Sequence, residues 1–151
     1  MVISSHYMIV HRDGFPLNRP AGADIEPCES DFISVVAGYA MESPLQIVFG
    51  EAKTELSFDD HDVRKLGKLA GSIPRELAQS YILFSKTSSF SAEEVALAKT
   101  LNTHYSRVVL WSRDELEPFY PYERSKTKLG GHAHAVSLTD LADITHRIYF
   151  S

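Results

Sequence analysis

The sequence is poor in cysteine and has no long apolar run. Its one cysteine, Cys28, excludes an internal disulfide framework and a cysteine-based zinc site. No apolar stretch approaches the length of about 18 residues that indicates a transmembrane helix, and the N-terminus lacks a signal-peptide pattern. We therefore expect a cytoplasmic protein that does not contact a membrane. No local histidine pattern indicates that Cys28 is a nucleophile, so a small half-buried residue is the simpler interpretation.

The sequence also lacks a surplus of positive charge. The 15 lysines and arginines against 20 aspartates and glutamates leave a net charge of −5. Phosphate contacts require a basic surface, so this charge has the wrong sign for a nucleic-acid-binding protein, and any such contact must come from local basic patches. Hydrophobic residues make up 44% of the 151 residues, which is enough for one domain with a real core. We therefore expect a single domain over residues 1–151.

The first third of the sequence changes from an irregular to a β-rich pattern. Three prolines and two glycines between residues 13 and 27 predict an irregular N-terminal segment over residues 1–27, in which Tyr7–Val10 is a candidate strand or a poorly ordered start. Two β-rich runs follow, Phe32–Ala37 and Leu45–Phe49, with a short turn between them. These two runs predict an antiparallel hairpin.

From residue 57 the apolar period becomes helical. Asp59 or Asp60 begins a helix that ends at Pro74. The inward face of this helix is apolar: Val63, Leu66, Leu69, Ala70 and Ile73.

A strand-helix-strand unit follows this helix. The run Tyr81–Phe84 predicts a buried strand, the capping box Ser91–Glu94 begins a helix that extends to about His104, and Val108–Trp111 is a second buried strand. Such a unit makes its two strands parallel. Residues 112–151 comprise a loop, Arg113–Gly131, and a C-terminal helix. The sequence therefore predicts an α/β fold with a core over residues 29–111: a mixed central sheet, an antiparallel hairpin followed by a parallel βαβ unit, with flanking helices.

Three charged residues stand where the two hairpin strands meet. Glu51 and Lys53 follow Gly50 at the end of a buried strand, and because they are two residues apart they point to the same face. Asp31 begins the first hairpin strand and can lie opposite them. Buried charges are costly unless they share a ligand or partner. The three side chains therefore indicate a site for a divalent cation and a phosphodiester, and the alternative is an ion pair of Glu51 with Lys53 or Arg64 on a sheet edge.

The pattern of Asp31 followed nineteen residues later by Gly50-Glu51-Ala52-Lys53 resembles the PD-(D/E)xK nuclease superfamily. In that superfamily an acidic residue begins one strand and Glu-x-Lys ends its hairpin partner, and the helix and parallel strand that follow here also match its common core. The resemblance implies a restriction-endonuclease-like fold and a metal-dependent nuclease that hydrolyses phosphodiester bonds in DNA. It assigns Asp31, Glu51 and Lys53 to catalysis, and Asp31, Glu51 and the Ala52 carbonyl to Mg²⁺ or Mn²⁺.

The chemistry explains these residue types. Mg²⁺ prefers hard oxygen ligands and keeps several water molecules. The metal polarises the phosphodiester and lowers the pKa of a bound water molecule. A lysine beside it orients or deprotonates the attacking water and offsets the developing charge.

One feature of the superfamily is missing from the sequence. Many members have a helix before the first strand that contributes another carboxylate, and the first thirty residues contain no convincing helix. Glu26 or Glu29 is an alternative source, as is a homodimer or a partner chain. The missing helix and the acidic net charge also allow an inactive member of the fold that acts as a nucleic-acid or protein interaction module. An unrelated α/β domain with a surface Glu51–Lys53 pair is the third alternative.

Two local basic patches are candidates for DNA contacts. Arg64, Lys68 and Arg75 are predicted to share the outer face of one helix, either as phosphate contacts or as a solvated face. The second patch is either a nucleic-acid contact or a flexible loop: Arg124, Lys126 and Lys128. The His132/His134 pair has no nearby carboxylate, which favours an exposed loop pair over a metal site.

Overall fold

The computed structural model describes residues 7–17, 28–38, 45–116 and 137–151. Five strands of these ranges form one sheet in the order β1-β2-β3-β4-β5. The strands are β1 Tyr7–Leu17, β2 Cys28–Gly38, β3 Leu45–Lys53, β4 Ala78–Lys86 and β5 Ser106–Trp111. The helices are α1 Asp60–Gly71, α2 Ala92–Leu101, α3 Arg113–Leu116 and α4 Leu138–Thr145, and a π-helical turn follows at His146–Phe150. No helix in the described part of the chain has the length and hydrophobicity needed to cross a bilayer.

The sheet changes from antiparallel to parallel at β3. Strands β1, β2 and β3 pair antiparallel, whereas β3, β4 and β5 pair parallel. The predicted mixed sheet with flanking helices is therefore confirmed, as are the hairpin and the parallel β4-α2-β5 unit. Because β3 is also parallel to β4, the β3-α1-β4 segment is a second crossover unit.

The structure confirms the candidate strand at Tyr7–Val10, but the prediction of an irregular segment is wrong for the residues that follow it, 11–17. Residues Tyr7–Leu17 form β1, which pairs with β2 from Tyr7↔Gly38 to Leu17↔Cys28. Pro16 lies within this strand, and an edge strand tolerates proline because one side of the strand makes no ladder hydrogen bonds. Pro16 and Gly14 interrupt the β-like pattern in the sequence, which is why the sequence indicates only the start of this strand.

Two hydrophobic layers cover the two faces of the sheet. One layer joins α1 and α2 to the sheet: Phe49, Val63, Leu66, Leu69, Ala70, Ile82, Phe84, Ala98, Val108 and Leu110. The other layer joins α4 to the sheet: Val48, Tyr81, Val109 and Ala142. Adjacent residues of one strand, such as Val48 and Phe49, therefore face opposite layers, as strand geometry requires.

The helix starts follow the sequence signals closely. Asp59 accepts a hydrogen bond from the Asp62 backbone N–H at the start of α1, and Ser91 accepts one from the Glu94 backbone N–H at the start of α2. Ser137 caps α4 in the same way. Helix α2 ends at Leu101, earlier than predicted, because Asn102 has an extended backbone and its side-chain oxygen accepts from the Val108 N–H.

The C-terminal residues cover the outer edge of β5. The Thr145 hydroxyl lies 3.2 Å from the Leu110 backbone nitrogen and accepts its hydrogen bond. Phe150 then reaches the α1/α2 layer, and Lys99 donates to the Phe150 carbonyl over 2.6 Å. The predicted loop over residues 113–131 begins instead with the short helix α3, and its residues 117–136 lie outside the described ranges.

Candidate active site

The site lies where β2 and β3 separate. Their pairing ends at Phe32↔Gly50, but β2 continues along β1 and β3 continues along β4 as far as Lys53↔Lys86. Gly50 is required at this point because a Cβ atom there would lie 1.9 Å from the Phe32 ring. The buried Ser30 hydroxyl lies 2.9 Å from the Gly50 carbonyl oxygen, to which it can donate. Strands β2 and β3 therefore separate directly beside Asp31 and Glu51.

Asp31 lies at this separation, in the position that the sequence predicts. Its carboxylate oxygen Oδ2 accepts a hydrogen bond from the Ala52 backbone N–H over 2.7 Å. This bond takes the place of a strand-to-strand hydrogen bond and holds an exposed carboxylate against the Glu51–Ala52 peptide. The structure thus brings Asp31 to the Glu-x-Lys segment.

Glu51 is buried and is bound by two lysines. By strand alternation it lies on the same face as Phe49, beneath α1, and the residue is only 5% exposed. Lys53 Nζ lies 3.0 Å from Glu51 Oε1, and Lys65 Nζ lies 3.1 Å from Glu51 Oε2. Each carboxylate oxygen therefore has its own ammonium partner.

Asp62 completes the ionic group. Lys53 Nζ lies 3.3 Å from Asp62 Oδ2, so Lys53 bridges the carboxylates of Glu51 and Asp62. The three carboxylates of Asp31, Glu51 and Asp62 and the two ammonium groups of Lys53 and Lys65 leave one net negative charge. A site of this charge attracts a divalent cation more than it attracts a phosphate.

Lys53 is held in its protonated form. Burial is the largest influence and lowers the pKa of Lys53, but the hydrogen bond and charge of Glu51, together with Asp62, outweigh it, so the pKa lies above its ordinary value. A protonated lysine donates hydrogen bonds and accepts none. In this state Lys53 is a hydrogen-bond donor to the carboxylates of Glu51 and Asp62.

A second, deeper ion pair supports this site. Lys86 Nζ lies 2.8 and 3.1 Å from the two carboxylate oxygens of Glu94, and both side chains are almost fully buried. Glu94 also accepts from the backbone N–H groups of Ser91 and Phe58, over 2.7 and 3.0 Å. Because Phe58 directly precedes the N-cap of α1, Glu94 fixes the start of the helix that carries Asp62 and Lys65.

The same contacts set the ionisation of Glu94. Burial is the largest influence and raises the pKa of Glu94, but the hydrogen bonds from Lys86 and the two backbone N–H groups outweigh it, so the pKa lies below its ordinary value. Glu94 is therefore charged at neutral pH.

The predicted basic face is present in part. Arg64 and Lys68 are exposed on α1, and Arg64 forms an ion pair with Asp60. The prediction that Arg75 shares this helical face is wrong, because α1 ends at Gly71. The Arg75 guanidinium instead lies 3.8 Å from the centre of the Tyr105 ring. Arg75 precedes the start of β4, so it lies at the opposite end of the parallel strands from Lys53. The contact of Arg64, Lys68 and Arg75 with DNA stays a prediction.

Asp62 and Lys65 are the functional candidates that sequence reasoning missed. Asp62 follows the two candidate capping aspartates and has the pattern of a plain surface residue, and Lys65 is adjacent to Arg64, which the sequence predicts on the exposed face. Their three-residue spacing places them on one side of a helix. The sequence contains no signal that this side faces Glu51, because the packing of α1 on β3 decides it.

Several sequence predictions lie outside the described residues or side chains. Glu26 and the side chains of Cys28 and Glu29 are among them. The others are the second basic patch and the histidine pair: Arg124, Lys126, Lys128, His132 and His134. Within the described ranges, no three histidine, cysteine, aspartate or glutamate residues are grouped as a metal-binding cluster.

The comparisons with known proteins identify similar structures. No protein-family model matches the chain, and no curated protein matches it. The structure of the MspJI restriction endonuclease in complex with a 27-mer oligonucleotide is similar over 95% of this chain, with 20% identity and a TM-score of 0.41; this chain spans 28% of that chain's length. The small subunit of the heterodimeric restriction endonuclease R.BspD6I is similar over 98% of this chain and 74% of its own, with 14% identity and a TM-score of 0.49.

The fold itself matches the expectation from the sequence. The antiparallel β2-β3 hairpin, the helix α1 and the parallel strand β4 follow one another in the order that the PD-(D/E)xK resemblance implies. Asp31 and Glu51-Ala52-Lys53 lie together at the end of that hairpin. The chain has an α/β fold with a mixed central sheet and flanking helices.

Proposed function

We propose that this protein is a metal-dependent nuclease that hydrolyses phosphodiester bonds in DNA. One observation carries the proposal: the Asp31 carboxylate is bound to the Ala52 N–H while Lys53 is bound to Glu51. The Asp31 carboxylate thus contacts the backbone between Glu51 and Lys53, at the point where the two strands separate. A purely structural ion pair on a sheet edge does not require the exposed Asp31 at this place.

The groups at this point fit a hard divalent cation. Its ligands would be the carboxylates of Asp31 and Glu51 and the Ala52 carbonyl, all of them oxygen donors, which suit Mg²⁺ or Mn²⁺. Two protein carboxylates are enough for Mg²⁺, because this ion keeps several of its water molecules. When bound, the ion supplies a Lewis acid and a water molecule of lowered pKa.

The side chains have separate roles in this proposal. Asp31 is oriented by the Ala52 N–H, so its carboxylate does not lose further conformational freedom on binding a ligand. Lys53, which keeps its ion pair with Asp62, would donate to an anionic oxygen of the phosphodiester and offset the charge of the transition state. Asp62 keeps Lys53 in place from the side of α1.

The DNA contact would be local. The chain is acidic overall, but Lys53 and Lys65 lie at the site, and Arg64 and Lys68 are exposed on the helix above it. Positive charges near a cleavage site bind phosphates by releasing counterions, so DNA binding should weaken steeply as salt is added.

Cleavage of plasmid and linear DNA tests the proposal. We expect cutting that requires Mg²⁺ or Mn²⁺ and that falls about 100-fold or more in Glu51→Gln and in Lys53→Met, the loss typical of a group that stabilises the transition state. Glu93→Gln removes the same charge from an exposed position on α2 and is the matched control. Circular dichroism of each variant establishes that it is folded. Wild-type rates in folded Glu51→Gln would refute the assignment.

A non-catalytic interaction module is the second candidate function. The observation that favours it is that both oxygens of Glu51 already have lysine partners. Calorimetry that detects no Mg²⁺ or Mn²⁺ binding, together with intact DNA binding, would select this function over the nuclease.

A further inference from the structure

We propose that Lys65 is a second cation of the active site, which binds Glu51 in the metal-free protein and moves to a phosphate oxygen of DNA when a metal ion binds Glu51. The inference rests on the proposed nuclease function and adds a residue and an order of events to it. It concerns a lysine that the PD-(D/E)xK pattern of this sequence does not include.

The environment of Lys65 differs from that of its neighbours on α1. Its side chain is 17% exposed, whereas the side chain of Arg64 is 70% exposed. Lys65 Nζ points at Glu51 Oε2 from 3.1 Å, across the space between α1 and β3. Lys65 therefore belongs to the site and not to the solvated face of the helix.

The two lysines that bind Glu51 are not equivalent. Lys53 has a second carboxylate partner, Asp62, at 3.3 Å, and would keep it if Glu51 turned to another ligand. Among the described residues Lys65 forms its ion pair with Glu51 and with no other carboxylate. If Glu51 binds a metal ion, Lys65 becomes a largely buried ammonium group without a counter-charge, which is costly.

The phosphodiester provides the new partner. Its non-bridging oxygens are anionic, and Glu51, with a metal ion bound, would supply a positive charge that favours these oxygens near Lys65. The ammonium group of Lys65 is compact, carries three donors and sits on a flexible four-carbon chain, so it can exchange a carboxylate oxygen for a phosphate oxygen. Lys65 thus competes with the metal ion for Glu51, and it contributes a phosphate contact to DNA binding.

This double role predicts two effects of opposite sign. Removing the charge of Lys65 frees Glu51 for the metal ion, so we expect metal affinity to increase about fivefold or more, the lower end of ordinary coupling between two ligands. The same change removes one phosphate contact. The negative slope of log K against log salt for DNA binding should therefore become shallower by about 0.9. This change of slope should occur with metal present and be absent without it, because Lys65 forms its ion pair with Glu51 in the metal-free protein.

The experiment compares Lys65→Met with wild type and with Arg64→Met. Calorimetry measures Ca²⁺ and Mn²⁺ binding without DNA, and fluorescence anisotropy of a short labelled duplex at several salt concentrations measures the slope, with Ca²⁺ and with a chelator. Arg64→Met removes a charge from the adjacent, exposed position. It should leave the metal affinity unchanged and affect the slope equally with and without metal. Lys65→Gln, which keeps a donor for Glu51, is measured in parallel in case Lys65→Met does not fold.

The outcomes separate this inference from the nuclease proposal. Tighter metal binding and a metal-dependent loss of slope in the Lys65 variants support it. Metal binding by wild type with unchanged affinity and slope in those variants overturns the role of Lys65 and leaves the nuclease intact. Absence of metal binding to wild type overturns the metal-dependent nuclease itself, and the Lys65 inference with it.

Discussion

The buried Lys86–Glu94 pair allows a demanding test of how this site is supported. The change is Glu94→Gln, which keeps the size of the side chain and removes its charge. Lys86 then stays buried without its counter-charge. The glutamine has one acceptor oxygen for three donors, those of Lys86, Ser91 and Phe58, which the carboxylate accepts together in the wild-type protein. Its NH₂ group must face at least one of these donors.

The expected cost follows from these contacts. Removing one partner of a buried ion pair typically costs about 3–5 kcal/mol, because an uncompensated charge is left behind. For a domain of this size each kcal/mol lowers the melting temperature by about 2–4 °C, so we expect a decrease of about 6–20 °C. The start of α1 also loses its anchor at Phe58, and with it the placement of Asp62 and Lys65.

Urea and thermal unfolding, followed by circular dichroism, measure the change. The denaturant midpoint should fall while the slope m stays constant, since the surface exposed on unfolding is the same. Glu93→Gln, one residue away and exposed, is the control and should change stability by less than about 0.5 kcal/mol. Adding Lys86→Met to Glu94→Gln removes the uncompensated charge and should recover part of the loss. A loss below about 1 kcal/mol in Glu94→Gln would refute this account of the pair.

Two further predictions follow from the same geometry. Because the folded protein holds the pKa of Glu94 below its ordinary value, its contribution to stability is complete above about pH 4.3 and is lost as the pH falls through the lower pKa of the folded state. Unfolding free energies of wild type and Glu94→Gln should therefore converge in acid, and a difference that stays constant down to pH 2 would contradict this reasoning. Gly50→Ala places a Cβ atom 1.9 Å from the Phe32 ring, which must move, so we expect a loss of about 1–3 kcal/mol together with reduced DNA cleavage. Wild-type stability in this variant would show that the ring does not define the end of the hairpin.

The hairpin and its charged residues were predictable because their rules are local. Side chains alternate along a strand, so Glu51 and Lys53 had to share a face. Antiparallel pairing of the two β-rich runs brought Asp31 to them, and the structure confirms this through the Asp31–Ala52 hydrogen bond. The helix starts were predictable for the same reason, since Asp59 and Ser91 cap residues three positions away.

Other features were not predictable because they depend on distant partners. Strand β1 contains Gly14 and Pro16, which interrupt its pattern, and its order comes from pairing with β2. Arg75 was assigned to a helical face by its spacing, but α1 ends four residues before it. Glu94 had a sufficient local explanation as part of a capping box, although it also binds Lys86 and Phe58.

The amino-acid sequence by itself determined the α/β class, the hairpin, the helix caps and the predicted site of Asp31, Glu51 and Lys53, because alternation, helical period and capping act over a few residues. Only the tertiary structure decided which side of α1 faces β3. That packing buries Glu51, gives it a second lysine in Lys65, and joins Lys53 to Asp62. The orientation of a helix about its own axis on a sheet is set by the hydrophobic contacts of its whole inner face. The spacing of its charged residues does not predict this orientation.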